Sequence, residues 1–356
     1  MDRILVTGAS GFVAKHLIGQ LLSAGYAVRG TLRGQAKVPG IWAAVQLLAP
    51  ERAGKLELVE ADLLSDAGWA DAMQGVNAVM HVAAAILGVE PKDPDVVVRP
   101  AVEGTERVLR FAHGAGIKRV IMTSSIATVG YGHGQVTGSR VYTEADFTNL
   151  EAMRYSWSYC IGKTKAERAA WAYARSQGMD LTTIHPGAIL GPATDGETSI
   201  SLGLVTDLLG GITPAMPRIG FAISDVRDVA AMHVAALENP DSIGQRYLCT
   251  GPYTTFQDVA EILRQHYPGW PVTAKSVPDW IIRMMVVFNG TIRQIINDVG
   301  NQKHFDGSKG ERLLGRPYFT PEQAVLASAE SAIRVGRIKR PVLAQNPKSE
   351  AGSLLA

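Results

Sequence analysis

The chain has 356 residues, 46% of them hydrophobic and 19% charged, with 35 basic and 33 acidic side chains and a formal net charge of +2. That size and apolar content fit a globular protein with one large domain and an appended lobe. The even charge gives no electrostatic case for nucleic acid or an anionic membrane, and two cysteines, Cys160 and Cys249, make no disulfide framework and point to the reducing cytoplasm.

The opening residues read as a strand, Ile4–Thr7, rather than as a signal peptide, and a helical pattern follows over Gly11–Ala24. Between them runs Gly8-Ala9-Ser10-Gly11-Phe12-Val13-Ala14. Glycines where a strand turns into a helix let the backbone approach a pyrophosphate, and the helix N-terminus offers free N–H groups. The spacing departs from G-x-G-x-x-G, with Ala14 at the position where only close helix–strand packing is needed. Gly8, Ser10, Gly11, Phe12 and Val13 are therefore read as a dinucleotide phosphate turn.

The second strand, Ala27–Thr31, leads into Leu32 and Arg33, and no acidic residue occurs from Arg3 to Pro50. An NAD site places a carboxylate there for the ribose 2′-hydroxyl. Arg33, with Lys37 about one helical turn on, suits the 2′-phosphate instead, and predicts NADP(H). The third strand, Leu56–Glu60, is followed by Asp62 and Leu63. The Asp62 carboxylate either accepts from the adenine amino group or caps a helix over Ser65–Met73.

Strands at Ala78–Val82, Arg119–Thr123 and Leu181–His185 alternate with helices at Val102–His113 and Tyr159–Gln177, the pattern of a parallel sheet covered on both faces. Thr123-Ser124-Ser125 ends the fifth strand; Ser125 is preferred over Ser124 as a donor to a substrate oxygen, since alternate side chains point to opposite faces. Tyr159 and Lys163 form the only Tyr-x-x-x-Lys in the chain and share a helix face. An ammonium beside a phenol lowers its pKa, so Tyr159 could protonate a carbonyl oxygen as hydride reaches the carbon, with Lys163 also holding the nicotinamide ribose.

Beyond His185 the pattern changes. An apolar run at Ile200–Leu209 lies in a Gly- and Pro-rich stretch, Ser224–Leu237 reads as a helix, Arg246–Leu248 as a strand, and the remainder as mostly helical. The expected division is an NADP-binding part, 1–185 and 222–250, a substrate lobe, 186–221 and 251–340, and a loose tail, 341–356. His81, His185 and His233 are read as structural, Cys160 as a small packed hydrophobe, and Trp280, Ile281, Met284, Met285 and Phe288 as a core-packed helical face. No metal site is expected.

These stretches resemble the extended short-chain dehydrogenase/reductase family. The nearest branch is that of dihydroflavonol-4-reductase, cinnamoyl-CoA reductase and yeast-type aldehyde/ketone reductases. The likeness rests on the turn at 6–12, Val28–Arg33, His81-Val82-Ala83-Ala84, Thr123–Ser125, Tyr159 with Lys163, His185-Pro186-Gly187 through Gly191-Pro192, and Asp225–Ala230, in order over about residues 4–250. It implies an α/β Rossmann-type doubly wound sheet of about seven strands, a Ser125-Tyr159-Lys163 set and NADPH as hydride donor. It also implies that Ala83 and the segment Pro186, Gly187 and Ile189 line the cofactor. The loop 126–158, with Tyr131, Tyr155 and Trp157, and the run 200–209 would shape a pocket for an apolar or aromatic ketone or aldehyde. The competing readings are a sugar-nucleotide epimerase or dehydratase and a non-catalytic NADP sensor. Monomer and homodimer stay equally open.

Overall fold

The computed structural model describes residues 2–84, 87–196, 200–286 and 289–339. Its central sheet has seven strands: β1 (Arg3–Val6), β2 (Ala27–Leu32), β3 (Leu56–Glu60), β4 (Ala78–His81), β5 (Arg119–Thr123), β6 (Asp180–Pro186) and β7 (Arg246–Cys249). All neighbours run parallel, in the order β7-β6-β5-β4-β1-β2-β3. The order reverses between β1 and β4, and the crevice beyond the carboxyl ends of those strands is where an open α/β sheet receives its ligand.

The alternation of strand side chains sorts the core into two layers. Ile4 and Val6 pack with Leu17, Ile18, Val229 and Met232, from helices Phe12–Ser23 and Val226–Glu238. Leu5 and Val79 face the other way, against Val108, Leu109, Ala166 and Ala170 of helices Asp95–Gly114 and Ser158–Gln177. A third core lies in the lobe, where Leu190, Leu202, Val205, Ile223, Val259, Leu263 and Val325 meet. Three short strands, Ala188–Leu190, Gly220–Asp225 and Tyr253–Thr255, link it to the main sheet. The helix Ser308–Leu314 instead returns to the main domain, and the nearby Tyr318 donates to the Leu248 carbonyl at 2.8 Å.

Several elements differ from the sequence reading. The helix expected at Val102 begins at Asp95 and accommodates Pro100 in its interior. Only Trp69–Met73 of the Ser65–Met73 helix forms, because Gly68 takes a left-handed φ of 81° at its N-cap. Ser224 and Asp225 complete a strand, and the Asp225 carboxylate caps the helix that starts at Val226. The helix Val38–Leu48 was not anticipated, although Pro39 at its start and the buried Ile41, Ala44 and Val45 carry its signal. The face assigned to the core around Trp280 is turned outward: Trp280, Met284 and Met285 are 66%, 59% and 40% exposed. Ile282 and Val286, one turn apart, pack inward against Ile219, Ile292 and Ile296 instead. Phe288 and the tail 341–356 lie outside the described residues. No described helix is long and apolar enough to cross a membrane.

Candidate active site

The turn after β1 is held by backbone geometry. Gly8 has φ 69°, and a side chain there would meet the Ala83 Cα at 3.1 Å. The Gly8 N–H donates to Thr31 Oγ1 at 3.1 Å and the Ala9 N–H to the Thr31 carbonyl at 2.8 Å. Beneath the turn, a side chain on Gly30 would approach the Ala9 Cβ at 2.7 Å, so β2 needs a glycine for the turn to sit down on the sheet. Gly11 is the N-cap of helix Phe12–Ser23 and supplies no capping side chain. Ser10, Phe12 and Val13 are half-buried beside it. The N–H groups of the first turn are thus left for an anion, which fits a dinucleotide phosphate.

Arg33, just past β2, is exposed and has no hydrogen bond or ion pair among the described residues, and Lys37 is exposed one short turn further on. The exposed guanidinium of Arg33 at this corner fits a 2′-phosphate. The Asp62 carboxylate accepts from the Leu64 N–H at 2.9 Å. It does not cap a helix, since Gly68 occupies that position. Leu63 packs under the Asp95–Gly114 helix, where a side chain on Gly104 would meet the Leu63 Cβ at 2.8 Å.

On the other side of the crevice, Thr7 fixes the turn after β4. Its Oγ1 accepts from the Val82 and Ala83 N–H groups, each at 3.0 Å, so its proton goes to His81 Nδ1, also at 3.0 Å. His81 Nε2 then donates to Thr105 Oγ1 at 3.1 Å. Burial, with the charge of Lys163, pushes His81 down to about 3, so it stays neutral.

The helix Ser158–Gln177 presents Tyr159 and Lys163 one turn apart. Tyr159 lines two cavities, one smaller and one larger. The smaller cavity holds Lys163, Ala83 and His81. The larger, of about 250 Å³, holds Ser125, Tyr131, Trp157, Gly187, Leu204, Phe221 and Phe256. No charged side chain among the described residues lines it. Tyr155, expected in this pocket, lines a separate cleft. Pro186 is buried at the end of β6, and Ile189 packs on the main core.

Ser125 Oγ accepts from the Ala127 N–H at 3.1 Å, which leaves its proton to donate into the cavity. Ser124 faces away, toward Glu167 Oε2 at 2.6 Å. Burial is the largest influence on Tyr159 and raises its pKa, while the Ser125 hydroxyl acts in the lowering direction. The depression expected from Lys163 is therefore not delivered by the chain itself. Lys163 Nζ instead donates to the Thr123 carbonyl at 2.8 Å, and burial lowers its pKa to about 8 against the opposing pull of Glu167.

Sequence reasoning did not find Glu167. It lies one turn beyond Lys163, 2% exposed, and accepts from Arg246 Nε at 2.8 Å. Burial opposes its charge, yet His185, Arg246 and the Ser124 and Thr128 hydroxyls hold it at about 2. His185 is pushed to about 4, chiefly by burial. Cys160, packed against Ala127 and Tyr131, is pushed up to about 12 by burial.

A family model described as the NAD dependent epimerase/dehydratase family matches residues 4–249. Cinnamoyl-CoA reductase 1 of Petunia hybrida is 34% identical over 276 residues, 76% of this chain and 79% of that protein. Dihydroflavonol 4-reductase of Zea mays is 35% identical over 274 residues, 76% of this chain and 75% of that protein. The yeast methylglyoxal/isovaleraldehyde reductase Gre2, solved with NADPH, shares the fold with a TM-score of 0.76 at 24% identity, over 94% of this chain and 100% of that one.

Proposed function

The chain belongs to the NAD-dependent epimerase/dehydratase family, the extended short-chain dehydrogenase/reductases, and we propose that it is an NADPH-dependent reductase of an apolar or aromatic ketone or aldehyde. The observation that carries this reading is Tyr159, which lines both the cleft of Lys163 and Ala83 and the apolar cavity of Ser125. A proton donor at that junction touches both a dinucleotide and a second molecule. The named relatives, among them reductases and a fold neighbour solved with NADPH, agree with it.

In this reading Gly8, Ser10, Gly11, Phe12 and Val13 hold the pyrophosphate, and Arg33 with Lys37 holds the 2′-phosphate. Asp62 and Leu63 flank the adenine, and Ala83, Pro186, Gly187 and Ile189 line the nicotinamide half. When bound, the reduced nicotinamide supplies the hydride. Lys163 binds the ribose while its carbonyl partner, Thr123, fixes its direction. Ser125 donates a hydrogen bond to the substrate oxygen, and Tyr159 gives that oxygen its proton. A phenol raised by burial keeps its proton through neutral pH, as a donor must. Residues 1–185 and 222–250 form the dinucleotide-binding part, and 186–221 with 251–340 supply most of the lobe.

Walls of Leu, Ile, Phe and Trp suit a substrate with few polar atoms. A hexose ring would lose hydrogen bonds there, and no carboxylate among the described residues lines the cavity to act as a dehydratase acid. The test is to mix the protein with NADPH and a panel of aromatic ketones and aldehydes and follow reduced-nicotinamide absorbance. Steady loss with alcohol product is expected. Tight NADPH binding without turnover on any member would favour a sensor.

A further inference from the structure

Behind Tyr131 lies a second cleft of about 310 Å³, and Tyr131 is the one described residue it shares with the apolar cavity. Its chemistry is opposite in kind. No acidic side chain among the described residues lines it, while Arg154, Arg283 and Lys303 do. Lys303 is already neutralised by Asp298, which also accepts from the Tyr131 hydroxyl at 3.0 Å. Arg154 and Arg283 have no acidic partner among the described residues. Arg154 lies over the Tyr155 ring at 5.4 Å, and Arg283 gives one N–H to the Val299 carbonyl at 3.0 Å.

The backbone adds to this. Residues 132–135 all line the cleft, and their four N–H groups have no hydrogen-bond partner among the described residues. Gly132 and Gly134 take φ values of 73° and 74°, the alternation that curls successive amides into a concave donor surface. The loop is pinned from below: Val136 N–H donates to Asn301 Oδ1 at 2.7 Å, and the Asn149 N–H to the Tyr131 carbonyl at 3.0 Å. Two uncompensated guanidinium groups facing a row of free amides form a receptor for a tetrahedral oxyanion.

We propose that this cleft binds a phosphate-type oxyanion, separately from the dinucleotide site. The group is either the far end of a carbonyl substrate whose reacting end lies past Tyr131 or a free ion. The site does not depend on the proposed reaction; NADPH enters the test only to fill the dinucleotide phosphate turn.

The experiment titrates inorganic pyrophosphate into the full chain saturated with NADPH, by calorimetry. Saturable binding is expected, weakened about tenfold or more in Arg154→Ala and in Arg283→Gln. Arg154 is exposed, so its variant tests the site whatever Arg283→Gln does to the loop at 299. A second arm compares KM for a neutral aryl ketone and for the same ketone carrying a tethered phosphate. If the substrate supplies the anion, Arg154→Ala raises KM for the tethered ketone and leaves the neutral one unchanged. If a free ion is the ligand, the tether gives no advantage and pyrophosphate still binds. Absence of heat, or binding that both variants retain in full, overturns the site. Failure of NADPH to bind is read apart, by nicotinamide fluorescence, and counts against the proposed reaction rather than the cleft.

Discussion

Glu90 Oε1 accepts a hydrogen bond from the Ser158 N–H at 2.7 Å, so a carboxylate from the loop after β4 caps the helix that carries Tyr159 and Lys163. The helix supplies no cap of its own, since Trp157 stands at the N-cap. A carboxylate there also meets the positive end of the helix dipole. The same loop reaches the lobe: the Glu90 N–H donates to the Gly290 carbonyl at 3.2 Å, and Gln294 Nε2 to the Leu87 carbonyl at 3.0 Å. Leu87 and Gln294 both line the apolar cavity.

Glu90→Ala should therefore lower unfolding free energy by about 1–2 kcal/mol, by leaving a buried N–H without its acceptor. It should reduce kcat as well, because the start of the helix sets the Tyr159 position. Glu90→Gln keeps an acceptor without the charge and should fall between. Urea unfolding and ketone turnover on the three proteins check this; wild-type values for Glu90→Ala in both would remove the cap from the account.

Tyr159→Phe removes only the phenol oxygen. NADPH affinity should stay near wild type, and kcat should fall about 10²–10⁴-fold, the usual worth of a placed proton donor. Fluorescence titration and turnover separate the two effects. Near-native kcat would take Tyr159 out of the mechanism.

Glu167 gives a pH-dependent test. Its charge opposes the depression of Lys163, whose pKa is about 8. The Lys163 proton is lost as pH rises through that value, so kcat should decline on the alkaline side. Glu167→Gln removes the supporting charge, lowers Lys163 further and should move the alkaline limb to lower pH. The variant also leaves Arg246 buried without its ion partner and should be less stable. The position of the limb does not depend on the amount of folded enzyme. A limb that stays in place would show that Glu167 serves stability alone.

Arg33→Ala should weaken NADPH far more than NADH, since only the former carries the 2′-phosphate. Equal losses for the two would refute Arg33 as the discriminating contact. The placement of this residue was legible in the sequence because the rule it follows is local: the residue just past β2 sets the charge at that corner of the sheet. The turn at Gly8, the Tyr159–Lys163 pair and the strands were legible for the same reason, their signals lying within one βαβ unit. Glu90, Glu167 and the arginine cleft were not. Glu90 meets Ser158 across 68 positions and Arg246 meets Glu167 across 79, so nothing in local spacing announces either pair. The misread face of Trp280 has another cause. Ile282 and Val286 make as good an apolar stripe as Trp280 with Met284, and only the tertiary partners decide between them.

The buried histidines set the acid limit of the fold. His81 is held at about 3, His185 at about 4 and His233 at about 4, chiefly by burial. Each is tied into hydrogen bonds; Thr123 Oγ1, for example, meets His233 Nε2 at 2.7 Å. In the unfolded chain these rings titrate near the ordinary value of 6.5. As pH falls from about 6.5 toward 4, the unfolded chain takes up three protons that the native chain refuses. The folded state must then lose stability, with a slope approaching about 4 kcal/mol per pH unit near pH 5 if all three contribute. His16, lowered in the same direction by burial, steepens the loss. The lowered carboxylates, such as Glu167, add to the loss only as pH falls below about 5. Urea midpoints measured from pH 7 to pH 5 should fall continuously, with unchanged activity after return to pH 7. A midpoint that stays flat across that range would mean that the three rings are not held neutral by the fold.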